Sequence, residues 1–77
     1  MTFQEILLAE PRLIDLMNDG YKFASIEPVE WKRSLYWYKM LKPRFIELVG
    51  FQARNRKLKD CETYDLVYRF FIDLMEM

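Results

Sequence analysis

Residues 60–77, DCETYDLVYRFFIDLMEM, decide the fold class. Tyr64, Val67, Tyr68, Phe71, Leu74 and Met75 recur at the three-and-four spacing that gathers side chains on one face of a helix, and neither Gly nor Pro interrupts them. This spacing predicts an α-helix running nearly to Met77, with Asp60 able to cap it. Leu66, Phe70 and Met77 make a second apolar stripe away from that face. Glu62, Asp65, Asp73 and Glu76 fall outside the core stripe, as acids on a solvated face do.

Upstream, residues 51–60 hold Arg54, Arg56, Lys57 and Lys59 and too few apolar side chains to bury a face. They read as a helix tail followed by a basic turn. Before them Trp31, Leu35, Tyr38, Phe45 and Val49 follow at steps of four, three, seven and four, which predicts a helix with Pro28 in its first turn and an end around Gly50. Pro43 lies inside that stripe without breaking its phase. A helix bent between about residues 39 and 43, or two helices in near register, is expected because proline removes one backbone donor and crowds the preceding turn.

At the start of the chain, Thr2 followed three residues later by Glu5 matches a capping box, with Phe3, Ile6 and Leu7 on one face behind it. A straight helix through Pro11 would carry Glu10 into the apolar stripe. Pro11 is therefore read as opening a second short helix, with Leu13, Ile14 and Met17 inward and Asn18-Asp19-Gly20 stopping it. Residues 20–27 alternate only weakly and are read as a loop, since a lone strand cannot form a sheet. The chain has no internal repeat and no interior linker rich in Gly, Pro or Ser. The expected architecture is all-α: a small single-domain bundle of three to four helices over residues 1–77, its middle helix bent near Pro43.

A chain of 77 residues buries only about 60–65% of its unfolded surface, so it needs a dense core or a partner. Its 52% hydrophobic content, with two Trp, five Tyr and six Phe, supplies the apolar mass and leaves some for exposure. Charge is sorted by position. Residues 32–59 carry nine Lys/Arg against Glu47 alone, a net +8, while residues 1–31 and 60–77 are each net −4 in a chain whose formal charge is zero. The middle is a surface for an acidic partner, and the flanks are able to neutralise it internally.

With no histidine, Ser-His and Cys-His nucleophile arrangements and imidazole metal sites are excluded, and Cys61 alone builds no structural zinc site. Gly20 and Gly50 lie too far apart for a phosphate-cradling loop. The carboxylates read as solvated helix faces rather than as a catalytic pair. Cys61, near Lys57 and Lys59, reads as a small packed side chain before it reads as an activated thiol. The chain is expected not to be an enzyme and to need no cofactor or metal. A single cysteine, the absence of a signal-peptide pattern at the start and the lack of any membrane-spanning apolar run lead to the expectation of a soluble, cytoplasmic protein with no membrane partner.

Two surfaces are candidates for binding. The basic set is Arg44, Arg54, Arg56, Lys57 and Lys59, suited to phosphate oxygens or to an acidic protein surface. A helix-turn-helix around Gly50 is not supported, because Arg56 would have to pack inward and Ala53 and Leu58 are not spaced to seat a recognition helix. The apolar set is Tyr36, Trp37, Met40, Leu66 and Phe70, which either buries against the N-terminal helices or meets a partner. The function expected is that of a small non-catalytic helical protein-binding module, a regulator, adaptor or inhibitor using these two sets. In size and composition the chain resembles small accessory proteins, including those of phages and other mobile elements. Nucleic-acid binding through residues 32–59 and a structural homodimer stand as the alternatives.

Overall fold

The computed structural model describes residues 1–27 and 29–77. Among them the chain forms four α-helices and no strand: α1 (Phe3–Ala9), α2 (Arg12–Ile26), α3 (Lys42–Asn55) and α4 (Asp60–Met75). A 3₁₀ turn at Trp31–Arg33 and a π-helical turn at Trp37–Leu41 lie between α2 and α3. The all-α architecture is as the sequence predicts. The position of Pro28 falls outside the described residues.

Helix α1 starts at the expected capping box: Thr2 Oγ1 accepts the Glu5 N–H at 3.2 Å, and the Glu5 carboxylate accepts the Thr2 N–H at 3.4 Å. The helix ends at Ala9, ahead of Pro11, which stands just before α2. Helix α2 then runs through Gly20 to Ile26, so neither the stop at Asn18-Asp19-Gly20 nor the loop over 20–27 forms. A tertiary contact overrides the weak local propensity. The Trp31 ring lies directly on the α2 backbone, where a Cβ at Gly20 would sit 2.3 Å from Trp31 Cε3. Phe23 stacks on Tyr36 with centroids 4.6 Å apart, and Tyr21 meets Trp31 edge-on. Leu13, Leu16 and Met17 face the core, while Ile14, expected inward, is exposed.

The expected stripe of Trp31, Leu35 and Tyr38 also fails, because the helix breaks and restarts at Ser34. Ser34 is extended, its Oγ accepts the Trp37 N–H at 3.1 Å and donates to the Trp31 carbonyl at 2.8 Å. That is an N-cap, and it resets the helical phase. Trp37 and Leu41 turn inward, and Leu35 and Tyr38 face solvent. The π turn precedes Pro43, its closing bond running from the Lys42 N–H to the Trp37 carbonyl. A widened turn there admits a residue that cannot donate and whose ring crowds the turn before it.

Helix α3 continues past Gly50, around which its end is expected, to Asn55, so the helix tail and basic turn read over residues 51–60 form, and it buries Gln52 and Ala53. It closes with Leu58 N–H donating to Ala53 O and Lys57 N–H to Arg54 O, the paired bonds of a Schellman turn. Lys57 holds the left-handed position, φ 57°, where glycine is usual. Asp60 is the first residue of α4 rather than its cap. The cap is Lys59, whose N–H donates to the Glu62 carboxylate at 3.1 Å.

The core is a chain of rings. Trp37, Phe45 and Phe70 are fully buried and successive centroids lie 5.3 and 6.0 Å apart, with Phe3 4.9 Å from Phe70 and Trp31 5.8 Å from Trp37. One contiguous cluster thus joins all four helices. Two buried polar groups tie their ends. Lys32 donates from Nζ to the main-chain oxygens of Leu74 (3.0 Å) and Met77 (2.9 Å), placing a cation at the negative end of α4. Glu10, at the corner between α1 and α2, accepts from Arg12 Nε and Nη2 at 2.6 and 2.8 Å and from Gln52 Nε2 at 3.1 Å.

Candidate interaction groove

Five apolar side chains were expected to bury or to meet a partner, and the structure divides them. Trp37, Leu66 and Phe70 are core, so they are not anchors for a partner; Tyr36 is half-buried against Phe23; Met40 alone stays exposed. On α4 the core takes residues from both stripes, with Leu74, Val67 and Phe71 of the expected core stripe packed on it as predicted and Met77 of the second stripe exposed. Leu66, Phe70 and Leu74 point inward, while Tyr64 and Tyr68, placed in the core by periodicity, are 82% and 66% exposed. Both stripes satisfy the helical period, so periodicity could not choose between them. Side-chain chemistry carries the missing signal, since tyrosine hydroxyls tolerate water and Leu and Phe have no polar atom to leave there.

The basic set is divided as well. Arg44 lies ten residues before Arg54 on α3, roughly 15 Å away along the axis, so the two do not share a site. Arg54, Lys57 and Lys59 are exposed at the α3–α4 end of the molecule. Arg56 turns back on α3, donating from Nη1 to Gln52 Oε1 at 2.8 Å and to the Gln52 carbonyl at 3.3 Å. Arg56 and Arg12 thus flank a network that runs through Gln52 and Glu10. Its bonds hold the Glu10 carboxyl down to about 2, mainly through Arg12, against an opposing push from burial. The same pairing raises the Arg12 pKa.

Between α3 and α4 lies a groove of about 480 Å³. Ile46, Gly50 and Arg54 line it at successive turns of α3, and Tyr64, Tyr68 and Phe71 line it from α4. Gly50 is buried in the middle of its helix, yet a Cβ built there would approach nothing closer than Arg54 Nη1 at 3.8 Å. This glycine therefore leaves space that the chain's own packing does not fill, at a cost in helix stability of about 0.5–1 kcal/mol relative to alanine. Gly20 is the opposite case, its space already taken by Trp31. The sequence reading took Gly50 as a helix end and so missed the groove. Its signal was the pattern 46, 50, 54 beside 64, 68, 71, visible only once the two helices are known to be adjacent.

The groove combines apolar walls and a glycine floor, with one cation, Arg54, and one acid, Glu47, along its α3 side. Such a surface seats a ridge of apolar side chains and orients it by charge. Among the described residues no cluster of three or more metal-ligating side chains occurs, and no helix is long and apolar enough to cross a membrane. No protein-family model, curated protein or solved structure matches this chain.

Proposed function

We propose that this chain is a non-catalytic protein-binding module whose docking surface is the α3–α4 groove. The observation that supports it most is the pair of exposed tyrosines, Tyr64 and Tyr68, standing beside a helix whose glycine leaves the groove floor open. Aromatic side chains around a concave apolar site are the usual anchors of protein association. The Arg54, Lys57 and Lys59 cluster at one end steers an acidic partner and speeds encounter. A photo-crosslinking residue at position 68, with a control at the exposed Asp19 on α2, tests this reading in cells that make the protein. Adducts to a polypeptide from position 68 and none from position 19 support it; equal labelling from both, or none from either, refutes it.

A second reading, nucleic-acid binding, is favoured by one observation: Arg54, Lys57 and Lys59 crowd one turn, and the single ion pair among the described residues, Arg12–Glu10, involves none of them. Binding of a mixed-sequence oligonucleotide that weakens steeply between 50 and 200 mM salt, as about three released counterions require, is its signature.

A further inference from the structure

The residues lining the groove on α3 have an order that identifies one occupant. Glu47 and Arg54 are seven residues apart, two helical turns, with opposite charge, and Gly50 lies between them. A helix with that pattern is complementary to itself when turned end for end: about a twofold axis near Gly50, the Arg54 of one copy falls opposite the Glu47 of the other, and the reverse. Among the described residues neither side chain makes a hydrogen bond or an ion pair within the chain, and Arg12, whose charge Glu47 feels, is held bidentately by Glu10.

The α4 side agrees. Tyr64, Tyr68 and Phe71, spaced four and three, line the groove from one face of α4, the spacing by which a helix face meets another helix. The two tyrosines alone expose roughly 300 Å², at about 150–250 Å² per aromatic ring, more than a third of the ~800 Å² that each partner of a stable interface contributes. The antiparallel arrangement also brings the acidic C-terminal end of one α4, with Asp73 and Glu76, toward the basic turn of the other copy, and a chain of zero formal charge meets no net repulsion from itself.

We propose that the groove is occupied by a second copy of this chain: two α3–α4 hairpins pair antiparallel across a twofold near Gly50, forming a four-helix arrangement with reciprocal Arg54–Glu47 ion pairs. This rests on the reading of the groove as a docking surface and names its partner.

Light-scattering mass and sedimentation across protein concentration test it. The wild type is expected to rise from 9.5 kDa to twice that mass. Gly50→Leu fills the floor, where a Cβ meets nothing closer than 3.8 Å, so it is expected to keep the helical circular dichroism and remain monomeric. Glu47→Arg and Arg54→Glu each weaken the dimer about tenfold or more, and the double exchange restores it to within a few-fold, which loss of structure would not do. Spin labels on Cys61, exposed on the first turn of α4, are expected roughly 15–30 Å apart across the axis, estimated from the helical rise. A mass fixed at 9.5 kDa up to millimolar protein, a dimer indifferent to Gly50→Leu, or a double exchange that fails to restore pairing overturns the second copy as occupant. The groove reading is judged separately, by an anilinonaphthalene dye: binding that Gly50→Leu abolishes keeps the groove as a docking surface even for a monomer, and binding unchanged by that substitution removes it.

Discussion

Replacing each of the two glycines by alanine has opposite consequences, and the difference follows from what a single methyl group would meet. At Gly20 it would lie 2.3, 2.5 and 2.8 Å from three atoms of the Trp31 ring, where ordinary contact begins near 3.4 Å. The ring is rigid, 3% exposed, and braced by Tyr21 and Trp37, so it cannot yield by rotating a flexible end. Overpacking of this kind costs typically about 1–3 kcal/mol, and three simultaneous contacts on a braced ring put Gly20→Ala at the upper end. The better helix propensity of alanine returns about 1 kcal/mol, leaving a net loss of about 2 kcal/mol. For a chain of this length that lowers Tm by roughly 8–16 °C. At Gly50 no atom stands in the way, so only the propensity term operates and Gly50→Ala gains about 0.5–1 kcal/mol. Urea titrations followed by circular dichroism and tryptophan fluorescence measure both, at the lowest workable protein concentration so that association adds nothing. A gain for Gly20→Ala would refute the placement of Trp31 on α2, and a loss for Gly50→Ala would refute the open floor of the groove.

Three further expectations are open to direct measurement. Because Glu10 titrates lower in the folded chain than in the unfolded one, its stabilisation is complete above the ordinary carboxylate range and is lost as pH falls from about 5 toward 2; Arg12 is 59% exposed and screened, so the loss is about 1–2 kcal/mol, and Glu10→Gln flattens this limb of the pH–stability profile. Phe70→Ala costs about 3–5 kcal/mol and Tyr64→Ala less than about 0.5 kcal/mol by chemical denaturation, and comparable losses would mean that α4 presents its other face to the core. Lys57→Gly stabilises by about 1 kcal/mol, since it removes a Cβ from a left-handed position; a decrease on the same denaturation assay would contradict the Schellman turn at the end of α3.

Local signals made much of this fold legible. The capping box at Thr2 and Glu5, the break before Pro11, the basic turn before α4 and the helical character of residues 60–75 all depend on interactions within a few residues, and the sequence holds those interactions complete. A further local signal was present but unread: Ser34 three residues before Trp37 is an N-cap, and recognising it would have moved Leu35 and Tyr38 to the surface and Trp37 to the core. Glu10 shows where local reasoning reaches its limit. The chain breaks at Pro11 as expected, yet Glu10 is buried regardless, because Gln52, forty-two positions later, arrives beside it with a donor.

What the amino-acid sequence determined by itself is that this chain is helical, that its first helix is capped by Thr2 and Glu5 and breaks before Pro11, and that its charges divide into a basic middle and acidic flanks. Tertiary structure alone decided that Leu66 and Phe70 join Leu74 in the core, that α2 continues through Gly20, and that Gly50 opens a groove instead of ending a helix. The physical reason is that helix formation and capping are decided by groups within one or two turns, whereas a side chain is buried only when another element is there to cover it. Trp31 covers Gly20, Phe45 covers Phe70, and among the described residues nothing covers Tyr64.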